Sequence, residues 1–237
     1  MVISVAAILA GGKGTRLLPR SGKLPKCLME FGGKPFILHQ IDWLIDQGIS
    51  KIFVCTGYKH ELIENFLSDQ HYLKNLVTCS REPNALGTAG AIKYLIETKQ
   101  LNGSILIVNG DTFFNFRLDQ KLMMEKLNSY QALIWVSKIQ EIGRFAQITV
   151  EGDKVTKYRE KEECDGEHSS CGCYVLDCRQ VSAVVDRISS LEEDFLPGLV
   201  RNQKLGCIKI GANGFYDFGT VESFDQLLLS SNNWISE

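Results

Sequence analysis

An apolar run from Ile3 to Leu9 passes without a break into Ala10-Gly11-Gly12-Lys13-Gly14-Thr15-Arg16, and this junction constrains the fold more than any other stretch of the chain. Glycines let a backbone turn sharply and aim successive N–H groups at an anion. A strand ending in such a loop suits the carboxyl edge of an open α/β sheet, where these folds bind ligands. Two common phosphate loops do not fit. The dinucleotide pattern Gly-x-Gly-x-x-Gly fails because Leu17 stands at the third glycine position, and no helix is expected to begin inside the loop. The P-loop pattern fails because no Gly-Lys pair is followed by Ser or Thr. Arg16 and Lys26, the latter closing Lys23-Leu24-Pro25-Lys26, put two strong cations within about ten residues of the loop, a combination suited to a triphosphate.

The first half alternates strand-like runs with amphipathic helical patterns, the sign of βαβ units. Ile3 to Leu9, Lys51 to Cys55, Leu76 to Ser80 and Ser104 to Val108 read as strands, with helices near Phe36 to Gln47, His60 to Leu67 and Thr88 to Thr98. After about Leu118 the pattern turns mixed. Gln131 to Ser137, Phe145 to Val150 and Lys154 to Arg159 are strand-like, the last two joined as a hairpin by Glu151-Gly152-Asp153. Cys171 to Leu176 reads as a strand, Arg179 to Ile188 and Leu191 to Val200 as helices, Cys207 to Ile210 and Phe215 to Asp217 as short strands, and a last helix starts near Val221. The expected class is α/β: three-layer, Rossmann-like, with a mixed, mostly parallel sheet flanked by helices. One domain over residues 1–237 is expected, in two halves near 1–118 and 119–237.

The 237 residues suffice for a large core, and a net charge of -2 with no long run of one sign argues against nucleic acid or a membrane surface as partner. Eight cysteines in a chain of this size, without a convincing export signal, read as reduced thiols in a cytoplasm. The apolar start, Val2 to Ala10, lacks the preceding Lys or Arg of a signal peptide, and no run approaches the roughly 20 apolar residues that span a bilayer. Oligomerisation with a second copy is left open.

Asn109-Gly110-Asp111 follows a strand, which puts Asp111 at the ligand-binding edge. Mg²⁺ takes one or two carboxylates together with phosphates and water, so Asp111 is a candidate ligand for the cation that a triphosphate needs.

With these residues in place, the chain resembles the nucleotidyltransferases that make nucleotide sugars. The resemblance rests on Leu9-Ala10-Gly11-Gly12-x-Gly14-Thr15-Arg16-Leu17 and Pro25-Lys26, and continues through Gly33-Lys34-Pro35-Phe36, Glu82-Pro83, Leu86-Gly87-Thr88, Asn109-Gly110-Asp111, Glu160-Lys161 and Asp217-Phe218-Gly219-Thr220. It implies the nucleotide-diphospho-sugar transferase fold and attack by a sugar 1-phosphate on a nucleoside triphosphate. The nucleotide would be gripped by Leu9 through Arg16, including Lys13 and Thr15, and by Lys26, Glu82, Gly87, Thr88 and Asp111. Arg16, Lys26 and Asp111 would carry catalysis, and Asp111 and Asp217 would hold Mg²⁺. Gly110, Glu160, Lys161, Cys171 and Gly172 would face the sugar phosphate.

Within the family the spellings are most similar to D-glycero-α-D-manno-heptose 1-phosphate guanylyltransferases. Glu82 falls in the base-reading loop, and a carboxylate can accept two hydrogen bonds from guanine N1–H and N2–H, which points to GTP. Many relatives carry an Asn-containing triplet before an aliphatic-Tyr pair; this chain has Cys171-Gly172-Cys173-Tyr174, so the usual amide is missing. Cys164, His168, Cys171 and Cys173 match no zinc spacing, and the cysteines read as buried thiols. His39, His60 and His71 receive no role. Alternative readings are mannose 1-phosphate with GTP, N-acetylmuramate 1-phosphate with UTP, a phosphocholine cytidylyltransferase, and a non-catalytic nucleotide-sugar sensor.

Overall fold

Apolar side chains stand at consecutive positions along the first-half strands, the pattern of a sheet covered on both faces. The computed structural model, which describes residues 2–22, 24–138, 146–159, 167–186 and 188–229, builds that sheet. The first half contains β1 (Val5–Leu9), α1 (Leu18–Ser21), β2 (Glu30–Phe31), β3 (Lys34–Pro35), α2 (Phe36–Asp46), β4 (Lys51–Thr56), α3 (His60–Ser68), β5 (Val77–Arg81), α4 (Gly87–Lys99), β6 (Ser104–Asn109) and β7 (Thr112–Phe114). The second contains α5 (Gln120–Leu127), β8 (Ala132–Lys138), β9 (Gln147–Glu151), β10 (Lys154–Arg159), β11 (His168–Asp177), α6 (Cys178–Val184), α7 (Leu196–Arg201), β12 (Leu205–Lys209), β13 (Phe215–Asp217) and α8 (Val221–Leu229).

One sheet runs β5-β4-β1-β6-β11-β8-β12-β10-β9, with β9 also touching β11. Strands β5, β4, β1 and β6 are parallel. Strand β11 runs against β6 and β8, and β10 against β12 and β9; the remaining strands share one direction. Sheet and helices form the expected α/β, Rossmann-like layering.

Successive side chains on a strand point to opposite faces, so each interior strand feeds two cores. Ile8, Leu106, Val108, Leu133 and Trp135 pack with Ile37, Ile41 and Leu44 of α2, Ile63 of α3 and Met123 of α5. On the other face Ala7, Ile105, Ile107, Ile134 and Val136 pack with Ile92 and Leu95 of α4, Val181 of α6 and Leu196 of α7. Burying a side chain such as Ile107 or Phe53 contributes about 1.5–3 kcal/mol. A third cluster, Leu17, Met29, Phe31, Phe36, Phe218, Phe224 and Leu227, stands apart from both faces. Its Phe36 and Phe218 rings meet edge to face with centroids 4.3 Å apart.

Several elements depart from the sequence reading. A 3-10 turn, Thr15–Leu17, does begin inside the glycine loop, because Gly14 adopts φ 58° and lets Leu17 N–H reach the Gly14 carbonyl at 2.9 Å. The helix expected over Arg179 to Ile188 ends at Val184, where Val185 turns extended at φ -83°, ψ 127°. The helix expected from Leu191 starts as a π turn, Leu191–Phe195, and becomes α-helical at α7, whose first turn accommodates Pro197 without the N–H it lacks. Strand β13 is where it was expected but pairs with β7 outside the main sheet. Helix α5 has a legible start, since Asp119 accepts a hydrogen bond from Leu122 N–H at 2.9 Å.

Candidate active site

The carboxyl ends of β4, β1 and β6 lie side by side, with Leu9 opposite both Cys55 and Asn109. The chain leaves β1 toward β4 and later returns to β6 on its other side, a switch point where open α/β sheets form their ligand crevice. A cavity of about 610 Å³ opens here. Leu9, Ala10, Gly11, Gly12, Lys13 and Lys26 line it, as do Glu82, Gly87, Thr88, Gly110 and Asp111. Most of the expected nucleotide residues are thereby gathered around one cavity from segments far apart in sequence.

The loop after β1 is anchored at its root. Ala10 N–H donates to Cys55 O at 2.9 Å, Gly110 N–H to Leu9 O at 3.0 Å, and Tyr58 N–H to Gly11 O at 3.1 Å. A Cβ on Gly110 would overlap the Leu9 carbonyl oxygen, so this crossing needs glycine. Lys26 leaves a 3-10 turn, Lys26–Leu28, lays its methylenes 3.6–3.8 Å from where a Cβ on Gly14 would stand, and brings its ammonium onto Asp111 Oδ2.

Asp217 reaches Asp111 through the β7–β13 pairing, which sets it opposite Thr112. Phe218 N–H donates to Asp111 O at 3.1 Å, and the Phe36–Phe218 contact holds that segment down. The bare Cα of Gly219 marks the meeting point: a Cβ there would lie 3.0 Å from Asp217 Oδ1, 3.5 Å from Arg16 Nη2 and 3.8 Å from Asp111 Oδ2. Arg16 and Asp217 thus stand beside Asp111 without lining the cavity, and Gly14 and Thr15 are also off its wall.

Beyond β5, Glu82 accepts Leu86 N–H on Oε2 at 3.1 Å, and burial raises its carboxyl from the ordinary glutamate value despite that hydrogen bond. The Thr88 hydroxyl donates to Glu192 Oε2 at 2.7 Å and accepts Leu191 N–H at 2.7 Å. Ser189 O accepts the N–H groups of Ala89 and Gly90, so the first amides of α4 are bonded within the protein. Cys27 and Cys55 also line the cavity, but burial pushes both thiols up to about 12, which leaves them neutral and poor nucleophiles.

The sugar side is placed in part. Gly172, at φ 69° in an irregularity of β11, backs directly onto the Asn109 side chain. Cys171 is 1% exposed and packs in the core with Cys173, both thiols raised well up by burial, so the Cys171 side chain is not on the cavity wall. Glu160, Lys161, Cys164 and Phe145 lie outside the described residues.

Gly57, Tyr58 and Glu192 line the cavity without having been singled out from sequence, as do Asn109, noted only as part of its motif, and His60, for which the sequence suggested no role. Gly57 carried a legible signal, as a glycine just past a strand that repeats the position of Gly11. Glu192 had none, since it arrives from a π turn packed over α4.

The profile of the family described as Nucleotidyl transferase matches residues 5–231. The chain belongs to the nucleotidyl transferase family. Among curated members, mannose-1-phosphate guanylyltransferase 1 of Arabidopsis thaliana is 33% identical over 207 residues, 84% of this chain. The chain spans 57% of that relative's length. This nucleotidyl transferase also superposes on the crystal structure of HddC from Yersinia pseudotuberculosis at 27% identity and a TM-score of 0.81, covering 97% of this chain and 99% of that one. HddC in complex with GMP-PN gives 26% identity and a TM-score of 0.78 over the same shares. Among the described residues of this family member, no helix is long and apolar enough to cross a membrane.

Proposed function

We propose that the chain transfers GMP from GTP to a sugar 1-phosphate, D-glycero-α-D-manno-heptose 1-phosphate first, releasing pyrophosphate. The observation that carries this reading is the joining, in one cavity, of the Lys26–Asp111 pair at the end of β6 with Glu82 at the end of β5, the glycine loop lying between them with its Gly11 against the Glu82 carboxylate. That spacing offers cations and backbone amides to phosphates and an acceptor to a base. The GMP-PN complex of HddC supports a guanine nucleotide. The Arabidopsis relative supports mannose 1-phosphate as the second sugar to test.

An oxygen of the sugar phosphate is already anionic at neutral pH, so it attacks the α-phosphorus without a general base. The new P–O bond forms as the bond to the β-phosphate oxygen breaks, and pyrophosphate leaves with the electron pair. The chain's part is positioning and charge neutralisation. The loop amides hold the phosphates, Lys26 faces the α-phosphate, and Arg16 the departing pyrophosphate. Glu160 and Lys161 are proposed to hold the sugar hydroxyls and its phosphate.

Asp111 and Asp217 fit Mg²⁺ by donor chemistry, because two carboxylates converge around the bare Gly219 Cα and a hard cation takes one or two carboxylates with phosphate oxygens. Bound there, Mg²⁺ supplies neutralising charge to the triphosphate.

The test is pyrophosphate release from GTP, UTP, dTTP, CTP and ATP, each against heptose, mannose and N-acetylmuramate 1-phosphates with Mg²⁺. GTP is expected to be preferred. Preference for another nucleotide overturns the base assignment, and no turnover with any pair supports a sensor instead.

A further inference from the structure

Strands β1 and β4 run parallel with Leu9 opposite Cys55, so Gly11 and Gly57, each two residues beyond that pair, leave the sheet at the same level. Glu82 follows β5 on the far side of β4, and its N–H donates to Thr56 O at 3.0 Å. Its side chain turns back over the end of β4 into the gap between the two glycines.

A Cβ built on Gly57 would overlap Glu82 Oε1 and lie 3.2 Å from its Cδ and 3.1 Å from Gly11 O. A Cβ on Gly11 would lie 2.9 Å from the same Oε1. Neither glycine adopts a positive φ. What these positions require is therefore space, not conformational freedom. The other carboxylate oxygen, Oε2, is held by Leu86 N–H. One carboxylate is thus fixed by a backbone donor on one oxygen and by two bare Cα atoms around the other, at the wall of the cavity.

We infer that Gly57 is a specificity-determining position, whose missing side chain seats the Glu82 carboxylate where it meets the base of the incoming nucleotide. The inference rests on the reading of Glu82 as the acceptor for guanine. Gly57 acts through Glu82 and is a positioning residue. A methyl group at 57 overlaps the far end of a flexible side chain and asks the Gly11 carbonyl, at 3.1 Å, for only a slight shift, so Glu82 swings aside before the fold is lost.

The experiment compares wild type, Gly57→Ala, Glu82→Gln and the double variant, using GTP and ITP, which lacks the 2-amino group. Circular dichroism of each variant reports the fold. Wild type is expected to prefer GTP in kcat/KM, and Gly57→Ala to lower that preference about tenfold, the scale of one charged hydrogen bond, with the change carried by KM. In the Glu82→Gln background, Gly57→Ala should change the ratio no further. An unchanged GTP/ITP ratio in Gly57→Ala overturns the inference, and so does an equal loss in both backgrounds, which would show Gly57 acting without Glu82. If wild type prefers another nucleotide, the guanine reading fails by itself. The same four proteins, assayed with the preferred nucleotide and GTP, then decide the inference, and lack of coupling between positions 57 and 82 overturns it there too.

Discussion

Lys26 and Asp111, 85 residues apart in the chain, form an ion pair on the lining of the cavity, with side chains 21% and 16% exposed. The ammonium thereby sits on the carboxylate that the proposed cation would also use. A substrate triphosphate with Mg²⁺ would redistribute these charges, turning the lysine toward phosphate.

Asp111→Asn removes that charge while preserving size. Pyrophosphate release is expected to fall by about a hundredfold or more, as when a preorganised charge is deleted from an active site. Circular dichroism should match wild type. Unchanged turnover would remove Asp111 from the catalytic machinery.

Asp217→Asn probes the second carboxylate separately. Because Asp217 is brought beside Asp111 by the β7–β13 pairing and the turn at Gly219 and would share the cation with it, its loss should raise the Mg²⁺ concentration needed for half-maximal rate. A Mg²⁺ titration identical to wild type would show that Asp111 suffices.

Glu82 offers a pH test. Burial raises its carboxyl, so falling pH protonates it sooner than an exposed glutamate and removes an acceptor for the base. KM for GTP should therefore climb as pH drops through that raised value, and Glu82→Gln should abolish the climb. The stability effect has the opposite sense: a raised folded-state pKa favours the fold at low pH and loses that contribution as pH rises. Denaturant titrations of Glu82→Gln and wild type should accordingly diverge in favour of the variant between acid and neutral pH.

Thr88 joins the start of α4 to the π turn, with one hydroxyl serving both Glu192 and Leu191 N–H at 2.7 Å. Thr88→Val keeps the shape and deletes both bonds, which should cost about 1–3 kcal/mol because a partly buried amide loses its acceptor. Thr88→Ser should restore most of the urea midpoint. If valine costs nothing, the clasp contributes no stability.

The glycine loop, Lys26 and the strand preceding Asp111 were legible because each is a local pattern: an apolar run, a turn, a charge. Asp217 was reached from sequence only through resemblance, since what brings it to Asp111 is a pairing outside the main sheet and the packing of Phe36 on Phe218. Gly57 and Glu192 escaped notice because their meaning is relational, one a space for Glu82 and the other a partner for Thr88. Helix ends were misjudged where the backbone chose the boundary, at the extended Val185 and the π turn before Pro197. Cys171 was read toward the sugar from its neighbours in the motif, whereas strand alternation and the irregularity at Gly172 turn its thiol into the core.

That irregularity supplies the last test. Gly172 holds φ 69°, and a Cβ there would stand 2.9 Å from Asn109 Nδ2 and 3.1 Å from its Cβ and Cγ. Asn109 lines the cavity beside Gly110 and Asp111, so β11 supports that part of the cavity from behind. Gly172→Ala imposes both a left-handed conformation, about 1–2 kcal/mol for an L-residue, and a push on the Asn109 side chain. Thermal unfolding should shift downward, and turnover at 25 °C, where the variant is still folded, should fall as Asn109 moves. Asn109→Ala/Gly172→Ala should recover some of the packing part of the stability loss, since the Cβ at 3.1 Å remains, and none of the conformational part. A single variant with wild-type melting would mean that β11 accepts alanine at this turn and that Asn109 is free to yield.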